Sequence, residues 1–187
     1  MKTPQKMLLI FGIVAALCAL IVTIVGAEPA APNGPIVISK TVSPQVIDLN
    51  YRGVLTYTIV VSNTATPVVL NAYMKDTLPP LLTFDEWVTS PTVGTLNQVG
   101  DTILWTGTLP APPSNPTPYM PNVITFTFTA NLPGPESMTL LLGNGIVNTA
   151  VAGHTDGTIN IVEDSDTAIT RIRRSIYLPL VIRNFTP

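Results

Sequence analysis

Residues 54–63 read VLTYTIVVSN, and residues 123–131 read VITFTFTAN. In both stretches an apolar side chain recurs at every second position. These positions are Leu55, Tyr57, Ile59 and Val61 in the first stretch, and Ile124, Phe126, Phe128 and Ala130 in the second. Because successive side chains of a strand point to opposite faces, a period of two predicts strands with one buried face and one more polar face.

Shorter apolar stretches, separated by turn signals, predict the other strands. They lie at residues 36–42, 68–76, 81–88, 102–106 and 145–153, with one or two more within 158–172. Turn signals at spacings of roughly 8–12 residues are typical of sandwiches and barrels. No stretch after residue 27 shows a convincing helical period. The sequence therefore predicts an all-β, Greek-key β-sandwich of about seven to nine strands.

Residues 109–121 contain six prolines. They are incompatible with a central strand, because proline lacks the N–H group that a strand ladder requires. A stiff connection between strands explains them, and an extended polyproline ligand is the alternative.

Composition excludes several classes of function. The 187 residues are 46% hydrophobic and 11% charged, with a net charge of −2, which suits one packed domain. A nucleic-acid binder needs a basic surface, and this charge balance offers none. The single cysteine, Cys18, and the single histidine, His154, cannot build a disulfide framework or a multi-histidine metal site. We predict a protein that is not an enzyme.

The first 27 residues have the layout of an export signal. Lys2 and Lys6 precede an uncharged stretch at residues 7–27, which ends in small residues. Cleavage after Ala27 is predicted. Because the apolar run nearly reaches the ~20 residues that span a bilayer, an uncleaved anchor is the alternative, and membrane contact is then confined to residues 7–27. Both interpretations export the rest of the chain to the cell surface or beyond.

The predicted organisation has four parts. An apolar signal helix at residues 1–27 is followed by a linker at 28–35, the β-sandwich at 36–172 and a tail or edge strand at 173–187. The tail contains the sequence YLPLVIR, whose proline discourages edge pairing between molecules. A sorting or attachment role is the other interpretation of this tail.

Five short pieces in order resemble one family. They are ISKTV at 38–42, LTYTIVVSN at 55–63, DTLP at 76–79, WTGTL at 105–109 and NTA at 148–150. Together they resemble the conserved-repeat domain of bacterial and archaeal surface proteins, a family catalogued as domain of unknown function eleven. The resemblance covers roughly residues 35–170. The chain departs from the family pattern at Pro80, where the family usually has glycine soon after the third piece.

The resemblance implies an immunoglobulin-like (Ig-like) module with a structural or adhesive role at the cell surface. Its partners would be cell-envelope components or other surface proteins, with no nucleic acid among them. The alternative is a carbohydrate- or protein-binding module of the envelope. In that case Trp87 and Tyr119 would lie on an exposed binding face.

The resemblance also implies a covalent crosslink. Related Ig-like domains of pili and adhesins form a spontaneous Lys–Asn isopeptide bond beside a buried acid, and Lys40, Asp76 and Asn148 lie in that order on the matching pieces. Such chemistry needs an apolar setting, which lowers the pKa of a lysine and raises that of a carboxyl group. The expected apolar neighbours are Ile38, Val42, Val147 and Val151. In the alternative, the lysine reaches solvent, the acid caps a turn and the amide binds backbone.

Acidic residues cluster late in the chain, at Asp156, Glu163, Asp164 and Asp166. Calcium takes six to eight oxygen ligands, so a Ca²⁺ site is one hypothesis, although the spacing matches no EF-hand loop. A solvated turn is the alternative. No other cofactor is predicted.

Overall fold

The computed structural model describes residues 34–113, 122–139, 141 and 143–174. The predicted signal helix, nearly all of the linker, Tyr119 and the tail beyond residue 174 lie outside these described residues. Within the described ranges, no helix is long and apolar enough to cross a membrane.

Ten strands and one five-residue helix make up the regular structure of these residues. They are β1 (Ile36–Ser43), β2 (Val46–Asp48), β3 (Val54–Asn63), β4 (Val69–Thr77), β5 (Thr83–Thr89), β6 (Thr95–Val99), β7 (Thr102–Leu109), β8 (Val123–Asn131), α1 (Pro135–Thr139), β9 (Ile146–Asp156) and β10 (Ile159–Arg173).

The strands form two sheets. Sheet 1 has the order β1-β3-β8-β5, and sheet 2 has the order β2-β10-β9-β4-β7-β6. Neighbouring strands are antiparallel except β2 and β10, which run parallel. The chain crosses repeatedly from one sheet to the other, and the result is an Ig-like β-sandwich.

The predicted alternation is confirmed in the core. The four alternating apolar side chains of β3 are fully buried, and their counterparts on β8 are at most 5% exposed. Sheet 2 contributes Met74, Ile103 and Trp105 to the same core. The sandwich is therefore held by two apolar faces packed against each other, as the period of two indicates.

The structure differs from the prediction at three short elements. Strands β2 and β6 were not predicted, because three and five residues carry too little alternation to be recognised. The expectation that no helix follows residue 27 was wrong at α1, which is a little over one turn long and too short to show a helical period. With β2 and β6 included, the described strands number ten.

Candidate functional site

Lys40, Asp76 and Asn148 all occupy inward-facing positions of their strands. Lys40 lies on β1 in sheet 1, between the buried residues Ile38 and Val42. Asp76 lies on β4 in sheet 2 and pairs with Ala150 of β9. Asn148 is two residues from Ala150 on β9, so its side chain points to the same face as Asp76. The two sheets thus bring the three predicted residues together across the core.

The three side chains meet at one carboxylate oxygen. Lys40 Nζ donates a hydrogen bond of 2.6 Å to Asp76 Oδ2. Asn148 Nδ2 lies 3.5 Å from the same oxygen, at the outer limit of a hydrogen bond. The residues are 4%, 0% and 1% exposed, respectively. The alternative in which Lys40 reaches solvent and Asp76 caps a turn is therefore wrong.

Three buried oxygens at this cluster have no hydrogen-bond partner among the described residues. They are Asp76 Oδ1, Asn148 Oδ1 and the hydroxyl of Tyr57, whose ring lies against Lys40 Nζ. A buried oxygen without a partner is costly, and native proteins keep such groups where strain or chemistry uses them. A proton on the carboxyl group of Asp76 would add a donor for the carbonyl oxygen of Asn148. Rotating the Asn148 amide by half a turn exchanges its nitrogen and oxygen and brings Oδ1 toward Asp76.

Burial shifts the pKa values of the pair toward each other. Desolvation lowers the pKa of Lys40 to about 8, although the neighbouring charges of Asp76 and Asp166 oppose the shift. Desolvation likewise raises the pKa of the Asp76 carboxyl group, against the attraction of Lys40. Both shifts favour the neutral forms, a free amine and a protonated acid, because an apolar core penalises charge.

Tyr57 is a member of the site that the sequence analysis did not identify as one. Its ring lies under the ammonium group, with Lys40 Nζ 5.0 Å from the ring centroid. Burial, and next the negative charge of Asp76, raise the pKa of the Tyr57 hydroxyl, so it stays protonated. The ring supplies an apolar wall with a weak attraction for a cation.

The predicted apolar surroundings are only half right. Ile38 and Val42 are buried on the same face of β1 as the lysine. Val147 is 48% exposed and Val151 is half-buried, because both alternate with Asn148 along β9 and point to the outer face. The inward neighbours on that strand are Ile146 and Ala150.

Three of the four clustered acids accept hydrogen bonds from the backbone of β1. Glu163 Oε2, Asp164 Oδ2 and Asp166 Oδ2 accept hydrogen bonds from the N–H groups of Ile36, Ile38 and Lys40, at 2.7, 2.9 and 2.6 Å. We call these three acids of β10 the carboxylate row. Asp156 lies at the exposed end of β9. The described part of the chain holds no group of three or more His, Cys, Asp or Glu residues placed to bind a metal ion, so this geometry does not favour the Ca²⁺ hypothesis.

The aromatic residues proposed for ligand binding do not form an exposed platform within the described residues. Trp87 is half-buried and packs against Phe84 and Phe128, with ring centroids 4.8 and 5.9 Å apart. Trp105 is fully buried, and its Nε1 donates to the Val93 carbonyl oxygen at 2.9 Å. Tyr119 lies outside the described residues.

His154 contacts Glu163 at the rim of an open cleft of about 720 Å³. The cleft is lined mainly by apolar and small residues, including Val68 and Leu70. Its two ionisable side chains are already engaged with each other, and Glu163 also accepts from the Ile36 N–H. Among the described residues, no serine, threonine or cysteine side chain is hydrogen-bonded to this histidine.

The fold is shared with domains of bacterial surface proteins. The chain superposes on the N-terminal domain of a Streptococcus gordonii adhesin with a TM-score of 0.50 and 13% identity, over 74% of this chain and 33% of that one. The full-length major pilin SpaD of Corynebacterium diphtheriae gives 0.44 and 17%, over 71% and 33%. A collagen-binding domain of a Staphylococcus aureus adhesin gives 0.39 and 10%, over 74% and 99%. The chain thus spans about a third of the first two proteins.

No protein-family model matches the sequence, and no curated protein matches it either. The resemblance to the conserved-repeat family accordingly stays a prediction. At these identities the structural likeness concerns the fold.

Proposed function

We propose that this chain is an exported, non-catalytic structural or adhesive module of the cell surface, of the conserved-repeat type, whose two sheets are joined by an amide bond between Lys40 and Asn148. The buried contact of Lys40 Nζ with Asp76 Oδ2, with Asn148 on the same oxygen, carries this proposal. The basic, then apolar, N-terminal segment supports export. Both sheets of the sandwich contribute to the cluster, so a bond here would tie them together.

The reaction exchanges one amide bond for another. Within the pair, a proton passes from Lys40 to Asp76, which leaves a neutral amine beside a protonated acid. Lys40 Nζ attacks the Asn148 side-chain carbonyl carbon, while the Asp76 proton polarises the carbonyl oxygen. The new C–N bond forms, the bond to Nδ2 breaks, and Nδ2 leaves as ammonia. Asp76 takes the proton that the attacking nitrogen releases and gives one to the departing nitrogen, so it is regenerated.

The cluster acts on its own chain. All three side chains are buried by the two sheets, so no other molecule reaches the reacting atoms. Once the bond has formed, the amine is consumed. The product is a constraint on the unfolded chain, comparable to a disulfide that closes a loop of roughly 100 residues. This is the stabilising feature that an exported domain without cysteine in residues 28–187 would need.

The first prediction concerns the mass of the folded protein. Intact-mass spectrometry of the full-length chain, corrected for any cleavage of the N-terminal segment, is expected to give a value about 17 Da below the sequence mass, since one ammonia is lost. Lys40→Met should restore the full sequence mass. Lys75→Met is the matched control, because Lys75 is the exposed neighbour of Asp76 on β4, and it should keep the deficit.

A folded wild-type protein at its full sequence mass would disprove the crosslink. A mass deficit that survives Lys40→Met would place the loss of ammonia elsewhere in the chain. Peptide mapping would show the link directly, as one branched peptide that contains both Lys40 and Asn148.

The second prediction is a bell-shaped pH dependence of bond formation. A neutral amine beside a protonated acid carries the same number of protons as the ion pair. The rate of bond formation should therefore be nearly constant over the pH range in which the pair keeps this number of protons. The rate should fall above about pH 8, the pKa of Lys40, because the pair then loses its shared proton. It should also fall below the raised pKa of Asp76, because a second proton keeps the lysine charged.

The measurement starts from full-length chain recovered unfolded from inclusion bodies and refolded by dilution at each pH, with the mass deficit followed over time. A rate that keeps rising to pH 10 would contradict the role of Asp76. It would mean that a neutral lysine suffices and that no proton from the acid is needed.

A further inference from the structure

Strand β1 is an edge strand of sheet 1. It pairs with β3 on one side, in a register that sets Lys40 opposite Ile59. Along its other side runs β10 of sheet 2. An edge strand presents a row of N–H groups that need acceptors, and such a row invites pairing with other chains.

The carboxylate row supplies those acceptors. The N–H groups of Ile36, Ile38 and Lys40 each donate to one carboxylate oxygen of β10. Side chains thus take the place of the missing neighbour strand. These are charge-assisted hydrogen bonds, which are shorter and stronger than bonds between neutral groups. All three acids use their second oxygen as well. Glu163 contacts the His154 ring, and Asp164 and Asp166 each accept from the N–H group of the next residue in β10.

A β-bulge makes the row possible. The pairing of β10 with β9 shifts between Val162 and Asp164, so Glu163 is the extra residue. A bulge re-aims the side chains around it, and here it lets the consecutive residues Glu163 and Asp164 both reach β1. Gly153 lies opposite the bulge, where any side chain would collide with the Ile161 carbonyl group.

We propose that the carboxylate row positions the crosslinking lysine, with Asp166 as the principal positioning residue. This inference rests on the proposed function, because it assigns a role in forming the Lys40–Asn148 bond. Asp166 binds the backbone N–H of Lys40 itself, and the other two acids bind the N–H groups of Ile36 and Ile38, earlier in the same strand. Because side chains alternate along a strand, a slip of β1 by one residue would turn Lys40 away from the core. The row holds the register that keeps Nζ on Asp76.

The test compares rates of bond formation in refolded full-length protein. Asp166→Ala removes the acceptor and should slow formation of the mass deficit about tenfold or more, which is the effect of losing a charge-assisted hydrogen bond that positions a reacting group. Asp166→Asn keeps an oxygen acceptor and should restore most of the rate. Asp156→Ala, which removes an exposed acid outside the row, should react like the wild type.

A general loss of stability is distinguished by a second variant of β1. Ile36→Ala removes buried apolar surface from the same strand, four residues before the reacting lysine, but no acceptor of an edge N–H group. If bond formation in folded Ile36→Ala is as slow as in Asp166→Ala at matched melting temperature, the positioning role is wrong. Wild-type rates in folded Asp166→Ala would also overturn it.

Amide hydrogen exchange separates this inference from the proposed function. In the wild type the Lys40 amide should be protected from exchange. In Asp166→Ala its protection factor should fall at least tenfold. The Ser39 amide, which faces β3, should keep its wild-type protection in that variant. Unchanged protection of Lys40 in Asp166→Ala overturns the positioning role alone. A wild-type chain without the mass deficit overturns the proposed function, and the positioning role with it.

Discussion

Asp76→Ala is expected to leave the folded chain at its full sequence mass and to lower its free energy of unfolding by more than ~4 kcal/mol. Two losses combine in this variant. The acid that carries the proton for bond formation is gone, so the loop between Lys40 and Asn148 stays open. Lys40 also loses the partner that it contacts at 2.6 Å in the core.

The missing Lys40–Asn148 bond accounts for the larger part of the expected loss in the free energy of unfolding. Closing a loop of roughly 100 residues removes conformational freedom from the unfolded chain, worth about 4–5 kcal/mol in the disulfide model. The unpaired lysine adds to this. Its pKa is already lowered to about 8 with Asp76 present, and without the acid the remaining desolvation would lower it further. At neutral pH the lysine must either lose its proton or stay charged in an apolar core, and both cost stability.

Two further variants divide the effect between chemistry and packing. Asp76→Asn keeps a polar side chain of nearly the same shape but has no acidic proton, so it should also stay at full mass while losing less stability than Asp76→Ala. Glu86→Ala on β5 removes an exposed acid and should change neither the mass deficit nor the denaturation midpoint. Bond formation at the wild-type rate in Asp76→Asn would show that the acid is not the proton carrier.

The sequence was sufficient for the parts of the fold that depend on long alternation. β3 and β8 were predicted with the bounds that the structure has, because nine or ten residues of strict alternation leave one choice of buried face. β2 and β6 carry no such pattern. They are defined by pairing with β10 and β7, and partners distant along the chain are not visible in a local window.

The buried cluster of Lys40, Asp76 and Asn148 was also predicted, but through family resemblance. The alternation around Lys40, with Ile38 and Val42 on the same face, does point the lysine into the core. What the sequence could not supply is the pairing of Asp76 with Ala150, which fixes Asn148 as its diagonal neighbour. The choice of Val147 and Val151 as walls failed for a local reason: both lie an odd number of residues from Asn148, and such positions of a strand point to the opposite face.

The carboxylate row illustrates a different limit. Asp164 and Asp166 share the face of the buried residues Ala168, Thr170 and Ile172 along β10. Charged residues on an inward face indicate that hydrogen-bond donors from another part of the fold satisfy them. That signal was available, yet it was interpreted as a metal site or a solvated turn. The donors are N–H groups more than 120 residues earlier in the chain, and only the stacking of the two sheets brings them near.

Replacing the whole cluster by apolar side chains isolates the contribution of the link. The variant Lys40→Met/Asp76→Leu/Asn148→Leu lacks the reactive groups and the buried ion pair of the cluster. It should be more stable than Asp76→Ala, because exchanging a buried ion pair for packed apolar groups is often neutral or stabilising by ~1–4 kcal/mol, whereas removing one partner is not. It should still be less stable than the wild type, because its loop is open.

Guanidinium denaturation distinguishes these states by slope as well as by midpoint. A crosslinked chain cannot expand fully, so the wild type should expose less surface on unfolding and give a smaller m value than the triple variant. Asp76→Asn also lacks the crosslink, so its m value should be as large as that of the triple variant. Because it keeps polar groups in the core, its denaturation midpoint should be lower than that of the triple variant. If the triple variant matches the wild type in both midpoint and slope, the two sheets are not covalently joined, and packing alone holds the sandwich together.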